Sequence, residues 1–336
     1  MDHVAIDLGG SQSQICVRSP DGKIVVEQRT RTKDLPLFLA KRPPGRVILE
    51  TCAEAFAIAD AAKAVGHEVR VVPATLVRAL GVGSRGVKTD RRDAQALSEA
   101  SCRMELPAVH IPSKTSRERK TKCGMRDVLV QSRTMVINNV RGFLRATSRQ
   151  PKAGSTATFP ARVRVLLGAE RPRHVETMLE TVELLTKQIR SLEHELADEA
   201  KADPICQRLM TVPGVGWVTS LRFVATLDEI SRFANAHQVE NYLGLVPGER
   251  SSSERQQRTG ITKAGSPTMR WLLIQAAWAA RRVRRKDALH LWAEQVEQRR
   301  GKKIAVTALA RKLAGILFAI WRDGSVYRPT VETTMG

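Results

Sequence analysis

The sequence predicts an α/β region followed by an all-helical remainder. Two observations set this division. Short apolar strands separated by tight turns fill roughly the first 75 residues, and helical periodicities dominate after residue 110. A third observation, an apolar repeat alternating in steps of three and four between residues 174 and 201, marks a coiled coil between them. The expected parts are therefore an α/β catalytic domain at 1–110, a helical linker with coiled coil at 111–203, and a helical C-terminal domain at 204–336.

Val4-Ala-Ile-Asp7 reads as a short buried strand ending in an acid and a glycine turn. Gln14 to Arg18 and Lys23 to Arg29 follow, with Asp21-Gly22 between them, so three strands form an antiparallel meander. Arg46-Val-Ile-Leu-Glu50 is a fourth strand, again ending in an acid. A helix pattern from Ala53 to Val65 is closed by Gly66, and Glu68 to Pro73 is a fifth strand. A meander that passes into alternating strands and helices predicts a mixed sheet covered by helices.

The stretch Lys88-Thr-Asp90-Arg91-Arg92-Asp93 opens the next helix. Acids three residues apart share one helical face, one turn apart. In a sheet with helical crossovers, sites form outside the carboxyl ends of strands, where Asp7 and Glu50 stand. Together Asp7, Glu50, Asp90 and Asp93 offer four oxygen ligands, the donor type that hard divalent cations prefer. Two such ions about 3.5–4 Å apart can activate a nucleophile and stabilise a leaving oxygen in phosphodiester cleavage. Each acid alone reads equally as a turn former or an ion-pair partner. Lys88, Arg91 and Arg92 beside them are candidates for holding the flanking phosphates.

Val128 to Leu144 reads as helix, and Thr147 to Pro160, rich in Ser, Thr, Gly and Pro, as a linker. The heptad seam comprises Val175, Met178, Val182, Leu185, Ile189, Leu192 and Leu196. It fits a coiled coil making a dimer or tetramer, or a long helix packed on its own domain. Val212-Pro-Gly214-Val-Gly216 sits between two helical stretches and resembles a helix-hairpin-helix turn. Residues 248–265 form a polar loop with Ser251, Ser252, Ser253 and the cations Arg250, Arg255, Arg258 and Lys263. A helix from Met269 to Arg285 follows, with Arg270 at its start and Trp271, Leu272, Ile274, Gln275 and Trp278 as inward candidates. Thr307 to Trp321 is an apolar closing helix.

The 336 residues carry a net charge of +21 and a pI near 10.5. Such an excess points to a nucleic-acid partner. An aromatic content of only 4% argues against a base-stacking platform for single strands. Five scattered cysteines without a Cys-x-x-Cys argue for a reducing cytosol and against structural zinc. No signal peptide precedes the first strand, and no apolar run approaches the ~20 residues of a membrane span. The expected location is the bacterial cytoplasm, associated with the nucleoid.

These motifs, in this order, resemble the DEDD transposases of bacterial insertion sequences, the IS110 family with its IS1111 branch, also described as bridge-RNA-guided recombinases. Asp7 in Ala-Ile-Asp-Leu-Gly-Gly, Glu50 in Val-Ile-Leu-Glu-Thr, and Asp90 and Asp93 in Lys-Thr-Asp-Arg-Arg-Asp-Ala match the family's four acids. Val212-Pro-Gly-Val-Gly, Leu243-Gly-Leu-Val-Pro247 and Gly260-Ile-Thr-Lys-Ala-Gly265 match its C-terminal domain. The resemblance implies a RuvC-like, RNase H-type domain, a coiled-coil insertion and a serine-bearing helical domain. It implies Mg²⁺, with Mn²⁺ as substitute, held by the four acids. It implies a serine nucleophile, which spacing from Pro247 matches to Ser252, with the neighbouring Ser251 and Ser253 as alternatives. Ser253 stands where the family has glycine, and Ser266 where asparagine is frequent. Expected partners are double-stranded DNA at element ends and target, an element-encoded guide RNA, and further copies of the chain. Arg255, Arg258, Lys263 and Arg270 join Lys88, Arg91 and Arg92 as expected nucleic-acid contacts.

Three rivals remain open on the sequence. A junction resolvase would use the four acids and water, leaving Ser252 dispensable. A sugar kinase of the actin-like class would use Asp7-Leu-Gly-Gly as a phosphate loop, but no second such loop exists. A DNA-binding protein without activity would hold the acids for structure alone.

Overall fold

The computed structural model describes residues 1–80, 89–252, 255–282 and 288–329, with side chains at 77, 78, 250–252 and 255–258 excepted. The chain divides into two compact units, Met1–Pro112 and Ser113–Gly336.

Unit 1 is built on a five-stranded mixed sheet of order β3-β2-β1-β4-β5. Its strands are β1 (His3–Asp7), β2 (Gln12–Arg18), β3 (Ile24–Arg31), β4 (Arg46–Glu50) and β5 (Glu68–Val72). The first three form the expected antiparallel meander, and β4 and β5 add in parallel beside β1. Parallel neighbours need crossovers, which α1 (Leu35–Ala40) and α2 (Ala55–Ala64) supply. Two further helices follow, α3 (Ala74–Ala79) and α4 (Asp90–Arg103).

Alternation along the strands divides the core between the two faces of the sheet. Val4, Ile6, Val47 and Leu49 bury against Leu35, Leu39, Ile58 and Ala59 of α1 and α2. Ala5, Ile48 and Val72, the intervening residues, bury against Leu97 and Ala100 of α4. His67 is buried beneath this layer. Its Nδ1 accepts from the Gly45 amide at 3.0 Å, so its Nε2 donates to the Leu39 carbonyl at 3.0 Å.

Unit 2 opens with a helical hairpin of α5 (Lys114–Ala146) and α7 (Arg173–Ala202), with the short α6 (Phe159–Leu167) at its far end. The long helices run antiparallel, as their side-chain partners show. Arg119 pairs with Glu199 and Asp203, Arg126 with Glu193, and Phe143 packs edge-on against His174. Val175, Leu179, Val182, Thr186, Ile189, Leu196 and Ala200 are the buried face of α7. This differs from the expected seam, because Met178 is exposed and Leu185 half-buried. The apolar repeat of α7 is thus covered by α5 of the same chain, the within-chain alternative left open by the sequence. Around Thr147–Pro160, expected as a linker, the chain turns from α5 into α6.

The rest of the unit packs as helices α8 (Pro204–Leu209), α9 (Trp217–Leu227), α10 (Ala236–Tyr242), α11 (Pro267–Ala280), α12 (Ala288–Arg300) and α13 (Lys302–Asp323), with a two-stranded ribbon, β6 (Pro247–Ser252) and β7 (Arg255–Ile261). α13 is long and apolar enough for a membrane span by length and composition. Its Val306, Leu309, Leu313, Leu317 and Phe318 are instead buried in the core with Leu272, Leu273 and Phe223. The inward face of α11 also differs from expectation. Trp271 is 56% exposed, and Met269, Leu272, Leu273, Ala276, Ala277 and Ala280 are buried. Residues 283–287, in the basic run expected to end this helix, lie outside the described residues. Cys206 is buried in the same core, which pushes its thiol up to about 12. Among all five cysteines no disulfide forms.

The turn between α8 and α9 lies where the sequence expected a helix-hairpin-helix. Gly214 has φ +82°, and a Cβ there would fall 2.2 Å from the Ala276 carbonyl oxygen and 2.6 Å from the Ala280 nitrogen. Glycine is required because the turn presses on the backbone of α11. Gly216, two residues on, faces open space. Gly214→Ala is expected to destabilise the protein by about 1–3 kcal/mol or more, as an overpacked and strained site, whereas Gly216→Ala should cost under about 1 kcal/mol. Chemical denaturation of the two variants checks this; equal midpoints would contradict the close-packed turn.

Candidate functional site

Asp7 closes β1, and the chain then turns through Leu8-Gly9-Gly10 into β2. A buried hydroxyl pair fixes this turn. Ser13 Oγ lies 2.8 Å from Thr32 Oγ1, which donates to the Gly9 carbonyl at 2.6 Å. A Cβ on Gly9 would meet the Gln12 carbonyl oxygen at 2.4 Å, so only glycine fits there. Glu50 closes β4, and its end is pinned to β5 by the Thr51 amide donating to Val72 O at 2.9 Å.

Register brings the two acids together. Ile6 lies opposite Leu49 in the parallel pair, so Asp7 and Glu50 are the next step along adjacent strands, about 4.8 Å apart. Alternation places Asp7 on the side of Ala5 and Glu50 on the side of Ile48, and both those residues face α4.

α4 delivers the third acid. Thr89 caps it by accepting from the Arg92 amide. The helix is held across the sheet by His3 Nδ1 to Ser101 Oγ at 2.8 Å and by Arg18 Nε donating to Ser98 Oγ at 3.1 Å. Ser101 therefore marks the start of β1. Eight helical residues back, about 12 Å, bring the chain to Asp93. Four strand residues forward, about 13 Å, bring β1 to Asp7. Asp7, Glu50 and Asp93 thus share one end and one face of the sheet. Asp93 is 2% exposed.

Asp90 behaves differently. Its side chain is 68% exposed, with Arg29 at 4.0 Å on the β3 side. The expected single face for Asp90 and Asp93 is split, since the helix buries one and turns the other to solvent. Arg91 pairs with Glu27, and Gln95 donates to the same carboxylate. Arg91, followed by that amide, holds the Glu27 carboxyl below its usual range. Arg92 is exposed. Lys88 lies outside the described residues.

Three carboxylates at one sheet end are the right donors for a hard divalent cation, and in kind the set fits Mg²⁺ or Mn²⁺. Among the described residues, however, no three His, Cys, Asp or Glu side chains form a group that could hold a metal ion. Asp7, Glu50 and Asp93 converge on one region without closing on a common point.

The serine stretch belongs to the ribbon of unit 2. Ser252 ends β6 and pairs with Arg255, while Pro247 and Ile261 pair at the opposite end. Residues 248–260 are polar or glycine throughout, so this ribbon has no apolar face to bury. The side chains of Ser251, Ser252, Arg255 and Arg258, and Ser253 as a whole, lie outside the described residues.

The base of the ribbon is tightly built. Gly244 has φ +68°, and a Cβ would lie 2.2 Å from the Ala264 carbonyl oxygen. Gly265 has φ +69°, with the Tyr242 carbonyl oxygen at 2.1 Å from its would-be Cβ. Arg270 locks the two segments. It is 9% exposed, and its guanidinium donates to the carbonyls of Leu243, Ala264 and Gly265. Arg270 was expected to contact nucleic acid; the guanidinium is instead buried with its Nη1 directed to backbone oxygens, which ties the base of the ribbon. Lys263 is exposed at φ +59° beside it. This function of Arg270 was invisible in the sequence, where an arginine in a basic stretch looks like any other.

Comparison with known proteins adds two matches. Residues 4–148 match a DEDD transposase domain of IS110 type, and residues 206–292 match the transposase IS116/IS110/IS902 family. The transposase for insertion sequence element IS1111A of Coxiella burnetii is 31% identical over 97% of this chain and 91% of its own length. The transposase for insertion sequence element IS1328 of Yersinia enterocolitica is 27% identical over 96% and 98%.

Arg270→Leu is expected to lower stability by about 1–3 kcal/mol, since it leaves buried carbonyls unanswered. Lys263→Ala, which removes only an exposed side chain, should stay within about 0.5 kcal/mol. Denaturation midpoints measure both; an unshifted Arg270→Leu would contradict the clamp.

Proposed function

Because this chain belongs to the IS116/IS110/IS902 family of transposases, we propose that it cuts and rejoins DNA with a divalent-metal centre at Asp7, Glu50 and Asp93 and a serine nucleophile at Ser252. The observation that carries this reading is the common end and face of the three carboxylates. The mixed sheet sandwiched between helices supports a RuvC-like, RNase H-type assignment for unit 1. Asp90, at the solvent edge, completes the set in this reading by rotation of its side chain away from Arg29.

A bound Mg²⁺ or Mn²⁺ would supply Lewis-acid polarisation of the phosphate and a lower pKa for the attacking hydroxyl. The residues of the chain then have separate tasks. Asp7 and Glu50 would hold such an ion from the strand ends, and Asp93 would do so from the helix. Exposed Arg92 neutralises a flanking phosphate. Serine is a weak nucleophile at neutral pH and needs such activation. In the exchange, the Ser252 Oγ–P bond forms as the P–O bond to deoxyribose breaks. The serine proton passes to solvent or a carboxylate, and the freed DNA hydroxyl takes one up. Attack of a second DNA hydroxyl on the phosphoserine reverses the step, so phosphodiester bonds are conserved without an external energy source. The polar ribbon, tied at its base, suits delivery of Ser252 to a DNA strand.

Element ends and target are the DNA partners in this reading, and sequence choice is delegated to an element-encoded RNA by pairing. The net charge of +21 supports backbone contacts with both. Self-association also belongs to the reading, but the heptad seam does not supply its surface, since α5 covers it. A resolvase acting with water alone is the alternative, and Ser252 separates the two.

Incubation with labelled element DNA and Mg²⁺, followed by denaturing electrophoresis, should trap a covalent protein–DNA adduct. Ser252→Ala, Asp7→Ala and Asp93→Ala should each reduce it by more than about a thousandfold while leaving DNA binding in place, and chelation of the metal should do the same. Metal-dependent nicking without any adduct would favour the resolvase.

A further inference from the structure

At the far end of the helical hairpin, where α5 turns into α6, lies a cavity of about 680 Å³ lined mainly by cationic and polar groups. Arg141, Arg145, Arg149, Lys152 and Arg162 contribute its charge, and Phe159 its floor. Two of these arginines build the cavity. Arg162 donates to the carbonyls of Lys152 and Ser155, and its guanidinium lies 5.9 Å from the Phe159 ring centre. Gly154 permits this, because a Cβ there would sit 2.8 Å from the Arg162 guanidinium carbon. Arg149 is paired with Glu170.

The other three cations are available. Arg141 stacks on Phe159 and touches only the Asn138 amide oxygen at 3.4 Å. Among the described residues no acid pairs with Arg141, Arg145 or Lys152. Arg141 and Arg145 are one helical turn apart, about 6 Å, the span of roughly two phosphates along one strand of a duplex. The end of α5 offers few free carbonyls to face an anion. Its last carbonyls, at Phe143, Leu144 and Arg145, already accept from the Thr147, Arg149 and Ser148 amides.

We propose that this hairpin tip is a nucleic-acid backbone site that holds phosphodiesters at a distance along the chain from the acids and the serine ribbon. An arginine row open to solvent takes a polyanion in preference to a single phosphate. The site rests on the nucleic-acid partner of the reading above but not on its chemistry, so absence of a serine adduct would leave it untouched.

The test uses the full-length protein, a fluorescent DNA duplex and a fluorescent single-stranded RNA. The double variant Arg145→Glu/Lys152→Glu is compared with Lys187→Glu/Arg190→Glu, which makes the same charge change on the exposed side of α7. Loss of two phosphate contacts should flatten the slope of log affinity against log salt by about 1.8 for duplex DNA or about 1.4 for single-stranded RNA. The α7 control should change it by less than half of that. Flattening on the DNA alone assigns the tip to DNA, and on the RNA alone to RNA; either supports the site. Equal slopes for the two double variants on both probes would overturn it. Arg145→Gln/Lys152→Gln, checked for a wild-type melting curve, gives the same reading should the glutamates perturb the hairpin.

Discussion

The parallel pairing of β1 with β4 is the constraint on which unit 1 depends. It sets Asp7 and Glu50 one step beyond a shared register, at the same end of neighbouring strands. A slip of one residue would send either acid to the opposite face, among Leu35, Leu39 and Ile58, where a carboxylate has no place. The apolar alternation of Val4, Ile6, Val47 and Leu49 therefore fixes where these two acids stand as well as the core. Ala5, the small residue on the other face, lets α4 lie close enough to bring Asp93 to the same end.

Unit 2 solves a different problem. Residues 248–260 of its ribbon carry no apolar side chain, and among the described residues the junction at its foot is closely built. The two glycine motifs, Leu243-Gly244 and Ala264-Gly265, let backbones approach each other closely, and Arg270 answers the carbonyls left at the junction. Ser252 then stands at the end remote from this foot. The hairpin of α5 and α7 is secured by apolar packing at both ends and by ion pairs such as Arg119 with Glu199 and Asp203. Partly buried pairs of this kind add little net stability, because desolvation offsets most of their attraction.

Much of unit 1 was legible in the sequence because strand periodicity and turn residues are local signals. Asp7 and Glu50 could be read as strand-end acids for that reason. The α7 seam shows the limit. A three-four repeat says that a helix face is buried, but what covers it is a long-range fact, and here it is α5. The split between Asp90 and Asp93 was hidden likewise, since helical phase tells which residues are neighbours and not where the sheet lies. Arg270 was misjudged on composition: its burial follows from the glycine turns beside it, whose positive φ values no spacing rule revealed. The Ser13–Thr32 pair behind Gly9 joins β2 to the residue just past the end of β3 and carries no local mark at all.

The claim that Asp7, Glu50 and Asp93 make one divalent-metal centre is tested most directly by Mn²⁺ binding, followed by the loss of the free-ion electron paramagnetic resonance signal on titration of the protein with bound DNA. Asp7→Asn, Glu50→Gln and Asp93→Asn are each expected to lose bound Mn²⁺ relative to the wild type, while circular dichroism stays unchanged. Wild-type Mn²⁺ stoichiometry in any two of these variants would contradict a shared centre.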